Sequence, residues 1–354
     1  MHNFLFMLYY HSIDVHMAIT IPLIDDLHVH LRQGDMMEAV VPSISNGGVG
    51  RVLVMPNLSP PITTVAQAAE YRTKLVKLNP AVEYFMTLYL SPSITLDDLG
   101  RAKDAHVIGV KSYPKGVTTG SDVGVEDYEV YFPIFSEMEK LGLSLHLHGE
   151  VPNTCVMQAE ELFLSQLFKI HSAFPRLKIV LEHVTTEAAV NAVLACGPTV
   201  GATVTIHHMD LTISDVVGNN VNFCKPVAKL ESDRNAIRDV VRSGNKKFFL
   251  GSDSAPHLLA NKKNHCGCPA GIFTQPYIAQ YLADCFDRFG CLEHLEAFAC
   301  TNGAAFLGLP LRTRSETISL EKKPLKVAES FTVGSDSVYP YRAGQELSYS
   351  IRHS

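Results

Sequence analysis

The stretch Asp26-Leu27-His28-Val29-His30-Leu31-Arg32 places two imidazoles and a guanidinium at alternate positions. In an extended strand alternate residues share a face. His28, His30 and Arg32 then point the same way, and the two rings can hold one metal ion. Two histidines on a half-exposed strand face fit the same pattern. Downstream, Val107-Ile108-Gly109-Val110-Lys111-Ser112-Tyr113 sets a lysine inside an apolar run. Burial disfavours its cation, and the neutral amine can react with carbon dioxide to give a carbamate, a two-oxygen anion able to bridge two metal ions. A lysine that reaches the rim or pairs with a carboxylate is the plainer alternative. Single histidines close two further runs, at Leu143-Ser144-Leu145-His146-Leu147-His148 and at Val180-Leu181-Glu182-His183. His146 and His148 share parity. His148 lies nearer the end and is the preferred ligand, while His146 reads as a core histidine. Asn57, after Val54-Met55-Pro56, either binds a ligand or starts a turn. Phe249-Leu250-Gly251-Ser252-Asp253 supplies a carboxylate that can ligate a metal and move a proton. The ordered set HxH, Lys, His, His, Asp points to a metal-dependent hydrolase.

These residues need elements that aim them at one place. From residue 24 onward, short apolar runs alternate with helical patterns. The runs are 24–30, 51–56, 84–90, 107–113, 143–148, 178–183, 202–207 and 248–253. Helical stretches fall at 65–78, 131–141, 157–174 and 233–243, and 275–307 reads as a helical tail. Eight strands separated by helices predict an α/β fold, a closed (β/α)8 barrel of the TIM type, with the chemistry at the C-terminal ends of its strands. Closure sets the last strand beside the first, so Asp253 is expected to face His28 and His30. Residues 310–354 are expected to wrap the barrel. Residues 1–16 read as an extension without a functional role, Met17 being a second plausible start, and 17–354 as one domain.

The chain has 354 residues, 46% of them hydrophobic, enough for a large core and against wholesale disorder. A formal charge of −6, with no run of more than two Lys or Arg, argues against a nucleic-acid or anionic membrane surface. The longest early apolar run, residues 4–10, is too short to span a bilayer and lacks the flanks of a signal peptide. Eight cysteines scattered over this length suit reduced core thiols and a cytoplasmic location. Cys266-Gly267-Cys268 beside His265 could hold a structural zinc. With no second pair close by, a loop with free thiols is favoured.

The combination resembles the amidohydrolase superfamily, and most closely its compact, single-domain dihydroorotases. The stretches that carry the resemblance are DDLHVHLRQGD (25–35), VMPNLSPPITT (54–64), GVKSYPKGVTT (109–119), LHGE (147–150), LEHVTT (181–186), NFCKPVAK (222–229) and FLGSDSAPH (249–257). The resemblance implies two zinc ions per subunit, one on His28, His30 and Asp253, the other on His148 and His183. Lys111, as N6-carboxylysine, would bridge them. It also implies that Arg32, Asn57 and His257 grip a substrate carboxylate, that Thr118 and Thr119 belong to a loop closing over substrate, and that Lys225 offers backbone contacts. After Cys268 the family has small residues whose backbone touches substrate, whereas Pro269 and Ala270 stand here. Proline has no N–H, so a donor at this point shifts to Ala270.

The activity implied is reversible cyclisation of N-carbamoyl-L-aspartate to L-dihydroorotate in de novo pyrimidine synthesis. A bridging hydroxide would be the nucleophile, Asp253 the general acid and base, and a homodimer the assembly. Hydantoinases, dihydropyrimidinases and allantoinases are the nearest alternatives. Those chains are longer and add a β-sandwich domain, for which a first barrel strand near residue 24 leaves no room. A mononuclear deaminase needs no strand-end lysine, and a non-catalytic scaffold relative would be expected to lose ligands.

Overall fold

A computed structural model describes residues 18–263 and 267–352. The extension, Met17, His265 and Cys266 therefore lie outside the described residues. Eight parallel strands follow one another in chain order around a barrel: β1 (Ile24–Val29), β2 (Val49–Val54), β3 (Glu83–Tyr89), β4 (Val107–Ser112), β5 (Ser144–His148), β6 (Ile179–Glu182), β7 (Val200–Val204) and β8 (Phe248–Leu250). All but β3 and β4 are buried along their whole length. That is why the strands read as continuous apolar runs rather than alternating ones. Just beyond β8 the chain returns to β1: Asp253 N–H donates to the His28 carbonyl at 3.0 Å, and His30 N–H to the Ser254 carbonyl at 3.0 Å. The fold is a (β/α)8 barrel, as expected.

The helices start where the chain supplies caps. Thr64 accepts from the Gln67 N–H, and the Gln67 side chain returns to the Thr64 N–H, which starts the helix Val65–Leu78. Thr186 caps Glu187–Ala195, a helix the sequence reading left out. Leu27, Leu53, Met55, Phe85, Val180 and Phe249 form an apolar plug separate from the main core between strands and helices.

Three expectations change. The run 202–207 is two elements: β7 ends at Val204, and Thr205 turns the chain into a short helix, Ile206–Asp210, by accepting from His208 N–H. β8 stops at Leu250, three residues before Asp253. The helical tail is broken, with the helices Ile278–Arg288 and Asn302–Leu307 joined through a 3-10 turn at Leu292–His294 and a π-helical turn at Ala297–Thr301. The chain flanking the barrel also builds a small β layer. Ile19–Pro22 pairs antiparallel with Thr317–Glu321, which pairs in turn with Ser350–Ile351. Val338 bridges Leu258, and Pro340 bridges Phe273, so this C-terminal segment lies against the barrel loops.

Candidate active site

The strand ends deliver their polar residues into one cavity. His28, His30, Arg32, Asn57, Tyr113, Thr118, Thr119, His148, His183, Lys225, Asp253, Ala255, Ala270 and Gly271 line it. The four imidazoles run side by side, with ring centroids 5.3 Å apart for His28 and His30, 5.1 Å for His28 and His183, and 4.7 Å for His148 and His183. Asp253 Oδ1 sits 3.0 Å from His30 Nε2 and 3.5 Å from His28 Nε2. These three side chains offer ligand atoms close enough for one metal ion.

Outer partners aim the rings. Glu182 Oε2 meets His28 Nδ1 at 2.7 Å, leaving His28 Nε2 turned toward Asp253. Glu182 Oε1 meets His146 Nδ1 at 2.6 Å, and Ser144 Oγ meets His146 Nε2 at 2.8 Å. His146 is thus satisfied at both nitrogens, and it is His148 that lines the cavity. Asn57 Oδ1 takes His30 Nδ1 at 2.8 Å, while its Nδ2 donates to the Thr119 carbonyl at 3.1 Å. The Asn57 amide therefore ties a cavity histidine to the loop above it. Glu150 Oε2 meets His148 Nε2 at 2.7 Å.

Electrostatics suit a cation. Burial lowers the His30 pKa to about 4 and holds His148 and His183 below the ordinary range, so the rings are neutral near pH 7. Burial alone would raise the Asp253 and Glu182 carboxyls. The close approach of His30 and His28 outweighs it at Asp253. His28, His146 and Lys111 do so at Glu182. Both groups are carboxylates. Lys111 is fully buried, its amine has no hydrogen-bond partner, and burial brings its pKa down to about 8. It sits 5.0 Å above the Tyr113 ring and is coupled electrostatically to Asp253, Glu182, His148 and His183. The His183 Nδ1 is likewise without a partner. Neutral imidazoles, an ionised carboxylate and orphaned donor atoms at one place are a set that a metal centre fits.

Strand parity does not explain Arg32. β1 ends at Val29, and Arg32 reaches the cavity from a left-handed backbone, φ 59°. His183 and Asp253 share this conformation, with φ 43° and 49°. Such backbone is costly for residues with a Cβ and clusters where function demands it. Arg32 Nε donates to the Pro256 carbonyl at 3.0 Å, and Nη2 lies 3.1 Å from His257 Nε2. The same His257 nitrogen is 2.9 Å from the Ala270 carbonyl and can serve only one of the two. His257 stands behind the cavity wall, while Ala270, not Pro269, lines it.

The sequence reading assigned no role to Tyr113, Glu182, Glu150 or Gly271. Tyr113 carried a signal, being two residues beyond Lys111. Glu182 and Glu150 were flanked by candidate histidines. Nothing local marked Gly271.

A second group, His207, His208 and Cys224, also brings ligand-type atoms within 4.8 Å of one another. His208 is already bonded to Thr205 Oγ1 at 2.8 Å and to the Pro226 carbonyl at 2.9 Å. Burial pushes the Cys224 thiol up to about 12. Only His207 has both nitrogens free of partners, so the cluster is one spare imidazole beside a closed network.

An amidohydrolase family model matches residues 19–313. A dihydroorotase of Mycosarcoma maydis is 50% identical over 321 residues, 82% of each chain. That of Saccharomyces cerevisiae is 42% identical and covers 94% of this chain and 98% of its own. Among solved structures, S. cerevisiae dihydroorotase in complex with 5-fluoroorotic acid matches with a TM-score of 0.90 at 41% identity, covering 95% of this chain and 98% of that one. An L-hydantoinase from Arthrobacter aurescens shares the fold, with a TM-score of 0.80 at 18% identity, covering 94% of this chain and 83% of that one. The chain belongs to the amidohydrolase family and, within it, to the dihydroorotases, hydrolases that act on a cyclic amide bond.

Proposed function

We propose that the protein interconverts N-carbamoyl-L-aspartate and L-dihydroorotate with two zinc ions in the barrel mouth. One observation carries the reading. Five ligand-type side chains from four strand ends, and the partnerless amine of Lys111, converge beside the guanidinium of Arg32. His28, His30 and Asp253 would hold one ion, His148 and His183 the other, and the carbamate of Lys111 would join them. When bound, the ions would supply an activated water and a positive charge on the scissile carbonyl.

The chain's own groups do the rest. Asp253, an ionised carboxylate at the strand closure, takes the proton released by the attacking water and delivers it to the leaving ring nitrogen. In the synthetic direction it removes a proton from the attacking ureido nitrogen. Arg32 forks onto the substrate carboxylate, with His257 buttressing the guanidinium and the backbone of Ala270 beside it. Thr118 and Thr119 cover the cavity and keep bulk water out. Asn57 orients His30 and holds the cover. Lys225 closes the far side. The family resemblance further supports a place in de novo UMP synthesis, a homodimer and a cytoplasmic location. No described helix is long and apolar enough to cross a membrane.

The test is turnover of L-dihydroorotate and of N-carbamoyl-L-aspartate by purified protein, before and after chelation. Activity lost with chelator and regained with zinc is expected. Turnover that survives in protein shown by elemental analysis to be metal-free would overturn the reading. So would no turnover in metal-loaded protein, which would move the substrate to another cyclic amide.

A further inference from the structure

The cavity wall carrying Ala270 and Gly271 is made where two loop segments meet, one through Phe223, Cys224 and Lys225 and one through residues 269–271. They share one backbone bond, Gly271 N–H to the Phe223 carbonyl at 3.0 Å. Lys262 ends the short helix Leu259–Lys262 and is 6% exposed. Its ammonium enters the seam between the segments. It donates to the Phe223 carbonyl at 2.8 Å, the Pro269 carbonyl at 3.1 Å and the Gly271 carbonyl at 3.0 Å. An ammonium has three donors, and all three are spent on the backbone of these two segments. Among the described residues no carboxylate forms an ion pair with Lys262. A buried cation without a counter-charge is expensive to keep, so the carbonyl cage is what holds it, and in return the cation fixes the cage.

We propose that Lys262 is a positioning residue for substrate binding: its ammonium joins the 223–225 and 269–271 segments and so sets the wall on which Ala270, Gly271 and Lys225 meet the substrate. The proposal rests on the assignment of this cavity to dihydroorotate. Lys262 bonds to none of the candidate metal ligands. Loosening the wall weakens ground state and transition state together, which raises KM and leaves kcat in place.

The experiment compares wild type with Lys262→Met and Lys262→Arg. It measures metal content, kcat and KM for L-dihydroorotate, and binding of 5-fluoroorotate. Lys262→Met should keep its metal and its kcat within about threefold, while KM and the 5-fluoroorotate Kd rise roughly ten- to hundredfold, as a misplaced contact surface does. Lys262→Arg should recover much of the affinity, since a guanidinium can also donate to several carbonyls. Should the Met variant fail to fold, Lys262→Gln, which keeps two donors, carries the same comparison and should show a smaller rise. Unchanged KM and Kd would overturn the proposal. So would loss of metal content and kcat together with a raised KM, the sign of a merely structural role. Hydrogen exchange on wild type tests the underlying assignment separately. 5-Fluoroorotate should protect residues 268–272, and no protection there would remove the wall from the substrate site.

Discussion

A lysine amine sealed in a barrel strand without a hydrogen-bond partner gives up its proton more readily than a free one, because burial penalises the ammonium. Lys111 has that environment, and the anionic carbamate would turn an orphaned atom into two ligand oxygens. Lys111→Ala is expected to retain the fold but lose at least one metal ion by elemental analysis. Short carboxylates such as acetate should restore part of the content. A full complement of metal in that variant would remove Lys111 from the centre. Arg32 acts on the other half of the site. Its Nε is held by the Pro256 carbonyl, with His257 Nε2 3.1 Å from Nη2, which presets the guanidinium before substrate arrives. Arg32→Ala should raise KM about a hundredfold, the loss of roughly 3 kcal/mol of charge-assisted bonding, with metal content unchanged. Parallel loss of metal and activity would assign Arg32 to the centre instead of the clamp.

At the scale of elements, the barrel brings the chemistry to its strand ends and the segment 114–125 covers it. Three tethers hold that segment down. Asn57 Nδ2 reaches the Thr119 carbonyl at 3.1 Å, Tyr89 Oη the Gly120 carbonyl at 3.2 Å, and Lys225 Nζ the Val117 carbonyl at 2.5 Å. The Asn57 tether also runs through His30, so cover and cavity are mechanically linked. Lys225 comes from beyond β7, so its ammonium joins the cover to a distant loop. At this half-buried position the bond contributes on the order of 1 kcal/mol. Lys225→Met should therefore raise KM about fivefold and speed limited proteolysis within 114–125, with metal content intact. Unaltered proteolysis would show that the other two tethers suffice.

At the scale of the molecule, the barrel mouth gathers groups whose charge the fold controls, and stability should report it. Burial lowers His30 and His207 to about 4 and also lowers His148, His183 and His208. Free histidine takes a proton near pH 6.5. Below that value the unfolded chain binds protons that these five sealed rings refuse, so folding loses free energy as pH falls toward 4. Asp26, raised by burial to about 6, and Glu160, raised to about 7, act the other way, binding protons in the folded state before the unfolded chain does. Asp25 is also raised, while burial lowers His106, His146, His171 and His257 as well, so three carboxyls stand against nine histidines. The urea midpoint of metal-free protein should drop between pH 7 and pH 5, and a constant or rising midpoint would contradict this balance.

Much of this was legible in the chain because residue type and periodicity are local properties. Apolar runs at strand length named the eight barrel strands, and the helical pattern at 65–78 matches the helix Val65–Leu78. The strand-end polar residues could be picked out because strand ends are where an apolar run stops. Where local pattern and backbone geometry part, the sequence misled: the apolar run at 202–207 hides the cap at Thr205, and the alternation of His28, His30 and Arg32 outlasts the strand that was to carry it. Which histidine of β5 turns to the cavity was settled by Glu182, 36 residues from His146 and 154 from His28 in the chain. The left-handed turns at Arg32, His183 and Asp253, and the three carbonyls around Lys262, likewise exist only once β8 has closed on β1. The sequence by itself determined the elements and the kinds of ligand they carry. The tertiary structure alone decided which side chains share a hydrogen bond, because such partners are set by barrel closure and not by any spacing along the chain.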